Sequence, residues 1–521
     1  MSYLNAISFF GMFGLCFIAW LFSEDRRIIP WRVIAWGIGL QLILGFMVFL
    51  FEPTKAALEA FSSLLNVVFD AADAGARFIF GPNIVPLPGR DTLILSPIAS
   101  NNVCPPNSAG QLVNGFCGMR LGYIFAFRAL PTVIFFSGLM ALLENIGVIQ
   151  VIVNFFGWIF FRTMRLSGAE SLSGAANIFV GIEAAIVVKP YLAKMTRSEL
   201  CAILSCCFGT AASSTLAIYV GFLRPVFPNI LGHLVSASIL AIPACFVLSK
   251  ILVPETGIPV TLGGIPKSEK SRKPLRNALS DPEQNEQDEI IAEMIDEADR
   301  ELESTLGEPI QRISPLDAAI LGALDGVKMS VSIAAVLILI LGLVYLLNQL
   351  FGALSQVSDI FKVVTLANIL GVLFYPLTLL TGVQVELGKL LQGIPDESFK
   401  ASVIIGRRLL ETAIPPYQEL GRAGLAGELS DRTVVIVSYA LSGFAHLASV
   451  GIFVGGTIAL IPSRRQDISE LGWKALFVGT LATIMIACVA GLFFDPSNPS
   501  ILGPKAAPVP APMVSPSPMV K

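Results

Sequence analysis

The chain has 521 residues, of which 54% are hydrophobic and only 14% are charged, and its formal net charge is -3 at pH 7. Because soluble domains carry about 25% charged residues, this composition excludes an ordinary soluble protein and indicates a helical membrane protein. The weakly acidic balance also excludes a basic surface for nucleic acid.

The N-terminal region predicts two membrane spans joined by a basic turn. Residues 3–22 and 33–51 are apolar runs of the ~20-residue length that crosses the hydrocarbon core. The turn between them carries Arg26, Arg27 and Arg32. Short basic loops face the cytoplasm, so the N-terminus is predicted to lie outside.

A helix and a polar loop follow before the third span. Apolar residues recur at helical spacing over residues 58–70, which predicts an amphipathic helix in the membrane interface. The loop at 82–119 then lies on the outer side. It contains Cys104 and Cys117, and the sequence leaves open whether they form a disulfide.

The segment at 166–195 is apolar but too broken to cross the membrane as one helix. We predict a re-entrant hairpin that enters from the cytoplasmic side. Its break lies at Val180, Gly181 and Ile182, with Glu183 near the tip.

Two later spans are interrupted by small and hydroxylated residues. Thr196, with a glutamate at the third following position, predicts a capped helix start. The span it begins, 200–222, is interrupted at 208–215, and the span at 433–461 is interrupted at 442–449. Such breaks expose backbone N–H and C=O groups, which must face protein or a watery cavity.

The remaining chain predicts a second hairpin and further spans. Residues 388–422 are semi-polar and contain Pro415 and Pro416, which predicts a second broken hairpin. An apolar run at 365–383 is predicted to break at Pro376. Uninterrupted spans are predicted at 123–143, 230–253, 329–350 and 475–494.

These elements predict an all-α polytopic membrane protein with about eight transmembrane helices, two re-entrant hairpins and interfacial helices. Hairpin, interrupted helix and returning span occur twice, from opposite sides of the membrane, which is the inverted-repeat pattern of secondary transporters. The predicted regions are N-terminal spans with the outer loop at 1–122, a first repeat at 123–253, a cytoplasmic acidic insertion at 254–315, a second repeat at 316–494 and a disordered Pro-rich tail at 495–521.

The breaks supply candidate ligands for a coupling cation. Backbone carbonyls at Asn177, Val180, Thr210 and Ala211, with the Thr210 hydroxyl, are oxygen donors of the kind that hold Na⁺. By contrast, the cysteines and the two histidines have no zinc-ligand spacing, and no nucleophile–base pair stands out, so an enzyme is not expected.

Candidate solute contacts lie at the same breaks. Glu183, an ionisable group at membrane depth, either contacts the solute or cation or is a structural carboxylate. His446 and Phe444 either contact the solute or pack in the core. Glu411 either pairs with Arg408 or contacts the solute. Ile182, Thr215 and Ser449 complete this set.

Five strings of residues, in order along the chain, match those of a known family. They are FAFRALPT at 125–132, AANIFVG at 175–181, VVKP at 187–190, GFA at 443–445 and SRRQDI at 463–468. Through them the chain resembles the concentrative nucleoside transporters. This resemblance implies a homotrimer whose subunits import nucleosides with Na⁺, or in some members H⁺, by alternating access of a hairpin-bearing transport domain.

The resemblance also implies solute contacts in which this chain departs from the family. The first hairpin tip of the family reads Gly-Gln-Thr-Glu, where the Gln and Thr read the base. Here the tip is Gly181-Ile182-Glu183, which keeps only the acid.

Two further departures lie in the second repeat. The family's second hairpin carries Asn-Glu-Phe-Val-Ala, whose Glu holds the ribose. Alignment places Thr412 and Ala413 there, so that Glu411 would have to substitute from an earlier position. The interrupted span of the family reads Gly-Phe-Ala-Asn followed by Ser, and here His446 replaces the Asn while Ser449 remains.

The sequence therefore predicts a cation-coupled importer of nucleosides, multi-pass in a bacterial-type inner membrane, with both termini outside. Two alternatives stay open: the same fold with another small polar solute, and a non-transporting membrane sensor or scaffold. The coupling cation is Na⁺ or H⁺, and the presence of His446 favours H⁺, because histidine as a residue type titrates near neutral pH. The expected partners are the solute, membrane lipid and further copies of the chain, without nucleic acid.

Overall fold

A computed structural model describes residues 3–82, 84–85, 93–97, 108–113, 116–120, 124–179, 181, 184–185, 188–224, 226–262, 314–354, 356, 364–385 and 396–496. The acidic insertion from 263 to 313 and the tail beyond 496 lie outside these residues.

The N-terminal part is helical, with one small sheet in the loop that was predicted at 82–119. Its helices are α1 (Tyr3–Leu21), α2 (Trp31–Phe49) and α3 (Glu52–Phe80). Three strands, β1 (Leu93–Pro97), β2 (Ser108–Val113) and β3 (Phe116–Arg120), form an antiparallel sheet in the order β1-β3-β2. The sequence does not predict this sheet, because the short strands lack an alternating apolar pattern. Cys117 lies in β3, while Cys104 lies outside the described residues.

The rest of the described chain is helical. The first half contains α4 (Phe125–Asn145), α5 (Val148–Met164), α6 (Gly168–Ala176), α7 (Lys189–Leu192), α8 (Arg197–Gly209), α9 (Ser213–Leu223) and α10 (Ile230–Leu252). The second half contains α11 (Pro315–Leu354), α12 (Leu366–Leu380), α13 (Glu397–Glu411), α14 (Ile414–Leu425), α15 (Asp431–Ala440), α16 (Leu447–Leu460) and, after a short 3-10 turn, α17 (Arg465–Phe493).

These helices confirm the predicted fold class. Within the described residues, 6 helices are long and apolar enough to cross a membrane. They are α1, α2, α4, α10, α11 and the last described helix, α17. The pairs α8–α9 and α15–α16 are the two predicted interrupted spans, and each is broken where small and hydroxylated residues cluster. The predicted start of α8 is also correct, since Thr196 and Glu199 form a capping box.

Two details of the second half differ from the prediction. Pro376 lies inside α12 and does not break it. A proline removes one backbone donor, but a membrane helix tolerates the loss when neighbouring groups satisfy the freed carbonyl. The predicted span at 329–350 and the segment before it form one continuous helix of 40 residues, α11.

The helix α17 lies at the centre of the molecule. In its apolar segment 89% of the residues are buried, as in α10. It packs against α1, α8, α10 and α15. Here the two helix breaks touch: the Phe444 N–H donates a hydrogen bond to the Thr210 carbonyl, with an N···O distance of 3.2 Å. A Cβ atom added to Gly443 would lie 2.7 Å from the Gly209 carbonyl oxygen. The close crossing of the breaks therefore requires glycine at position 443.

A buried charge cluster fixes the start of α6. Ser167 and Glu170 form a capping box at its N-terminus. The Lys250 ammonium, from the last turn of α10, lies 2.5 Å from a Glu170 carboxylate oxygen and 3.0 Å from Glu255. Because a buried charge is costly without a partner, this cluster joins the first hairpin segment to α10.

We predict that Gly443→Val lowers the free energy of unfolding by about 1–3 kcal/mol, the usual cost of overpacking a core. The added atoms would meet the Gly209 carbonyl oxygen at 2.7 Å and the Thr483 methyl group at 2.6 Å. The measurement is the thermal unfolding midpoint of the purified protein. Gly455→Val is the control, because a Cβ at Gly455 meets nothing within 4 Å. Equal midpoints for the two variants would contradict the close crossing.

Candidate solute and ion site

A cavity of about 350 Å³ lies between the helix breaks, within the 300–1,000 Å³ range of small-molecule sites. Its walls come from α9, from the tip between α13 and α14, from the break between α15 and α16, and from α11. Most of the surface is apolar, with a few hydroxyls, one imidazole and several aromatic rings. The lining includes Gly181, Thr215, Tyr219, Met329, Ser332, Ile333, Val336, Thr412, Ala413, Phe444, His446, Ser449 and Phe453.

The cavity brings together five of the side chains predicted from sequence. They are Thr215, Thr412, Phe444, His446 and Ser449. Three other predicted residues, Val180, Ile182 and Glu183, lie outside the described residues, although their neighbour Gly181 lines the cavity.

His446 is held as the N-cap of α16. Its Nδ1 atom accepts a hydrogen bond from the Ser449 backbone N–H, with an N···N distance of 3.2 Å. The ring is nearly perpendicular to that of Phe444, with 5.9 Å between centroids. Because the Nδ1 lone pair is used by the cap, the neutral ring carries its proton on Nε2. A proton added at Nδ1 would break the cap.

Thr412 forms the strained tip between α13 and α14. Its φ of 68° lies in the left-handed region, which is uncommon for a β-branched residue. The side chain is buried and lines the cavity. Strained backbone of this kind persists where the surrounding structure fixes it, and it clusters at binding sites.

Glu411 does not pair with Arg408, so that predicted pairing is wrong. Its carboxylate forms a bidentate ion pair with Arg407, with N···O distances from 2.7 to 3.0 Å. Arg407 and Arg408 lie four and three residues before Glu411, so both spacings allow an ion pair, and the structure forms the one with Arg407. Arg408 is instead fully buried and donates to the Ala440 carbonyl, at the negative end of the α15 dipole.

Of the four predicted cation ligands, Asn177, Thr210 and Ala211 are described, and Thr210 and Ala211 lie at the break of α8. Asn177 is fully buried, and its side-chain nitrogen donates to the Ser173 carbonyl at 3.1 Å, while no hydrogen bond reaches its Oδ1 atom. Thr210 and Ala211 are buried at the end of α8. The Cys207 sulfur lies 4.0 Å from the Gly181 carbonyl, which brings the first hairpin segment to this point.

This donor set fits a hard monovalent cation. The buried amide oxygen of Asn177, which accepts no hydrogen bond, and the backbone carbonyls at the break of α8 are neutral oxygen donors. Among the residues that the structure describes, no group of three His, Cys, Asp or Glu side chains is placed to hold a metal ion. The arrangement therefore suits Na⁺ rather than a transition metal.

Sequence reasoning missed two polar groups of the cavity. Tyr219 lies one helical turn after Thr215 on α9, and its ring stacks on Tyr417 with 4.3 Å between centroids. Tyr219 lies four residues after Thr215, and this spacing places both on the same helix face, so the sequence could have predicted it. Ser332 lies in α11, where isolated serines in a long apolar helix gave no signal.

Family models match three parts of the chain. Residues 10–83 and 233–491 match the N-terminus and the C-terminus of the Na⁺ dependent nucleoside transporters. Residues 126–226 match a gate model described as nucleoside recognition.

Known proteins match over nearly the whole chain. It is 31% identical over 484 residues to an uncharacterized transporter of Bacillus subtilis, YutK, covering 93% of this chain and 98% of that protein. It is 29% identical over 500 residues to the rat sodium/nucleoside cotransporter 1, covering 93% of this chain and 63% of that longer protein.

Solved structures of the transporter CNTnw resemble the fold. The inward-facing, substrate-bound state has a TM-score of 0.71 at 30% identity, covering 94% of this chain and 98% of that chain. A CNTnw variant in an outward-facing state matches with the same TM-score of 0.71. The fold is therefore similar to that of a transporter seen open to either side.

We predict that Thr412→Gly unfolds at a higher temperature than Thr412→Val. Glycine adopts the left-handed φ freely, which relieves about 1–3 kcal/mol of backbone strain. Against this gain, glycine loses more conformational entropy on folding, which costs about 0.5–1 kcal/mol. Valine keeps both the strain and the branched shape. The measurement is the thermal midpoint of both variants in the same detergent. A midpoint for Thr412→Gly equal to or below that of Thr412→Val would contradict a strained tip.

Proposed function

We propose that this chain, which belongs to the concentrative, Na⁺-dependent nucleoside transporter family, imports nucleosides by coupling them to a Na⁺ gradient. Its family and its structural neighbours are transporters and not enzymes. The chain is a multi-pass membrane protein.

The cavity between the helix breaks carries this proposal. Its aromatic residues, Tyr219, Phe444 and Phe453, offer apolar faces for the ring of a base. The Thr412 hydroxyl and the His446 Nε2–H offer hydrogen bonds to sugar hydroxyls or to the base. A mostly apolar pocket with a few polar groups that converge on it is the usual form of a small-molecule site.

Na⁺ is the better candidate for the coupling cation. The unpaired Oδ1 atom of Asn177 and the carbonyls of Thr210 and Ala211 supply neutral oxygen donors, and Val180 is proposed as the fourth residue. The cap formed by His446 disfavours the proton, because protonation at Nδ1 would cost the hydrogen bond to Ser449.

The remaining assignments rest on the family. We assign Glu183 and Ile182 to the solute side of the first hairpin, which enters the membrane without crossing it. The active assembly is a homotrimer in a bacterial-type inner membrane, with both termini outside. In this assignment the two repeats at 123–253 and 316–494 carry the moving parts, and the insertion at 254–315 faces the cytoplasm.

A second candidate keeps the fold and changes the solute. Ala413 stands where the family carries the acid that holds the ribose, and Arg407 already engages the Glu411 carboxylate. A solute without a ribose would not need that acid. This alternative is favoured if nucleosides neither enter vesicles nor compete for uptake.

We predict that proteoliposomes take up labelled uridine or adenosine only with an inward Na⁺ gradient, and that Asn177→Leu raises the Na⁺ concentration needed for half-maximal uptake. Leucine has the same branched outline as asparagine but lacks the unpaired oxygen. Loss of one ligand should weaken the apparent Na⁺ affinity at least about 10-fold, the effect of ~1.4 kcal/mol. Asn154→Leu, on the exposed face of α5, is the control. Wild-type Na⁺ dependence in Asn177→Leu would refute the ion site.

We predict that uptake in Na⁺-free buffer stays at background from about pH 5.5 to 7.5, the range in which a free histidine titrates. We also expect His446→Asn to fold normally, because asparagine is a good N-cap and can accept from the Ser449 N–H. Uptake is measured with an inward proton gradient. Proton-driven uptake that disappears in His446→Asn would show H⁺ coupling and overturn the Na⁺ assignment.

A further inference from the structure

A second concavity, of about 680 Å³, lies apart from the solute cavity. It is formed by the start of α2, the end of α5 and the segment that leads into α6. Arg32, Arg162 and Arg165 surround it, and Phe161, Leu166 and Leu262 supply its apolar wall. We name it the arginine pocket. Its arginines belong to basic turns that the positive-inside rule places at the cytoplasmic face.

The arginine pocket carries positive charge without a matching acid. Arg32, Arg162 and Arg165 are all exposed, and no described carboxylate forms an ion pair with any of them. Arg32 instead donates from Nε to the Thr163 carbonyl, at 3.3 Å. Two acidic side chains of the neighbouring segments, Glu24 and Glu170, form their ion pairs elsewhere.

The carboxylates of Glu24 and Glu170 pair with other basic side chains. Glu24 lies 3.1 Å from Arg197 and also contacts Lys474. Glu170 is buried against Lys250. Three uncompensated guanidinium groups around one concavity therefore favour an anion.

The backbone at Arg165 adds a second observation. This residue follows α5 with φ 53° and ψ 41°, which is a left-handed conformation. At the end of a helix, the residue with this conformation is usually glycine. An arginine here carries backbone strain that glycine would not. The strained position contributes the third cation of the pocket.

An exposed apolar stripe leads away from the pocket along α5. Val151, Phe155 and Trp158 are 70%, 57% and 62% exposed, and their spacing places them on the same helix face as Arg162. Trp31, beside Arg32, is 71% exposed. Tryptophan and arginine at the end of an apolar face are typical of the membrane–water interface.

We propose that the arginine pocket binds the phosphate headgroup of an anionic phospholipid, whose acyl chains lie along the apolar stripe of α5. Free phosphate would use the arginines but not the stripe. An acidic peptide would also bind the arginines and leave the apolar stripe of α5 exposed. Basic pockets between helices at the cytoplasmic face commonly hold anionic lipids. This inference is independent of the transported solute.

The test is retention of phosphatidylglycerol, compared with phosphatidylcholine, by the purified full-length protein in native mass spectrometry. We expect selective retention of phosphatidylglycerol. The variant Arg32→Gln/Arg162→Gln/Arg165→Gln should bind it about 100-fold more weakly, from roughly fivefold for each arginine near an anionic headgroup.

The control variant replaces the exposed Arg26, Arg27 and Arg465 with glutamine and should retain the lipid. Thermal midpoints monitor the fold of both variants. Equal phosphatidylglycerol retention by the two variants would overturn the site.

Two further arms identify the occupant. Displacement of phosphatidylglycerol by millimolar inorganic phosphate would overturn the lipid assignment in favour of a free anion. Neutralising the acidic residues between 281 and 303 in the full chain should leave retention unchanged. Increased retention in that variant would identify the acidic insertion as the resident ligand and overturn the proposal.

Discussion

A single backbone hydrogen bond, from the Phe444 N–H to the Thr210 carbonyl, joins the two interrupted helices at the centre of the fold. Both groups are free to pair only because each helix has lost its own i to i−4 bond at the break. Gly443 permits this approach, since a side chain there would collide with the Gly209 carbonyl. The cavity and the candidate cation ligands both lie beside this contact.

This contact gives a physical basis for coupling in the proposed mechanism. Thr210 belongs to the candidate cation ligands, while Phe444 lines the solute cavity. A cation held by the carbonyls at the end of α8 would fix the backbone that positions Phe444. The cation and the solute would thus share one rigid element, which is how binding of the first favours binding of the second.

Three residues around the cavity are constrained by their own local structure. His446 serves as a helix cap, Thr412 is strained, and the Glu411 carboxylate is neutralised by Arg407. Among the described lining residues, the groups that remain available to a solute are neutral donors and acceptors. This favours a neutral ligand, because a bare charge in such an apolar wall would lose its hydration.

The sequence by itself determined the membrane class, the places where helices break and the capped start at Thr196, because hydropathy and capping depend on neighbouring residues. It also predicted five cavity residues, since each lies at a break. The tertiary structure decided which distant groups meet. It buried Arg408 in the core and left Arg407 to pair with Glu411, and it added Tyr219 and Ser332 to the cavity. The cavity joins segments far apart in the chain, and only packing sets the distances between them.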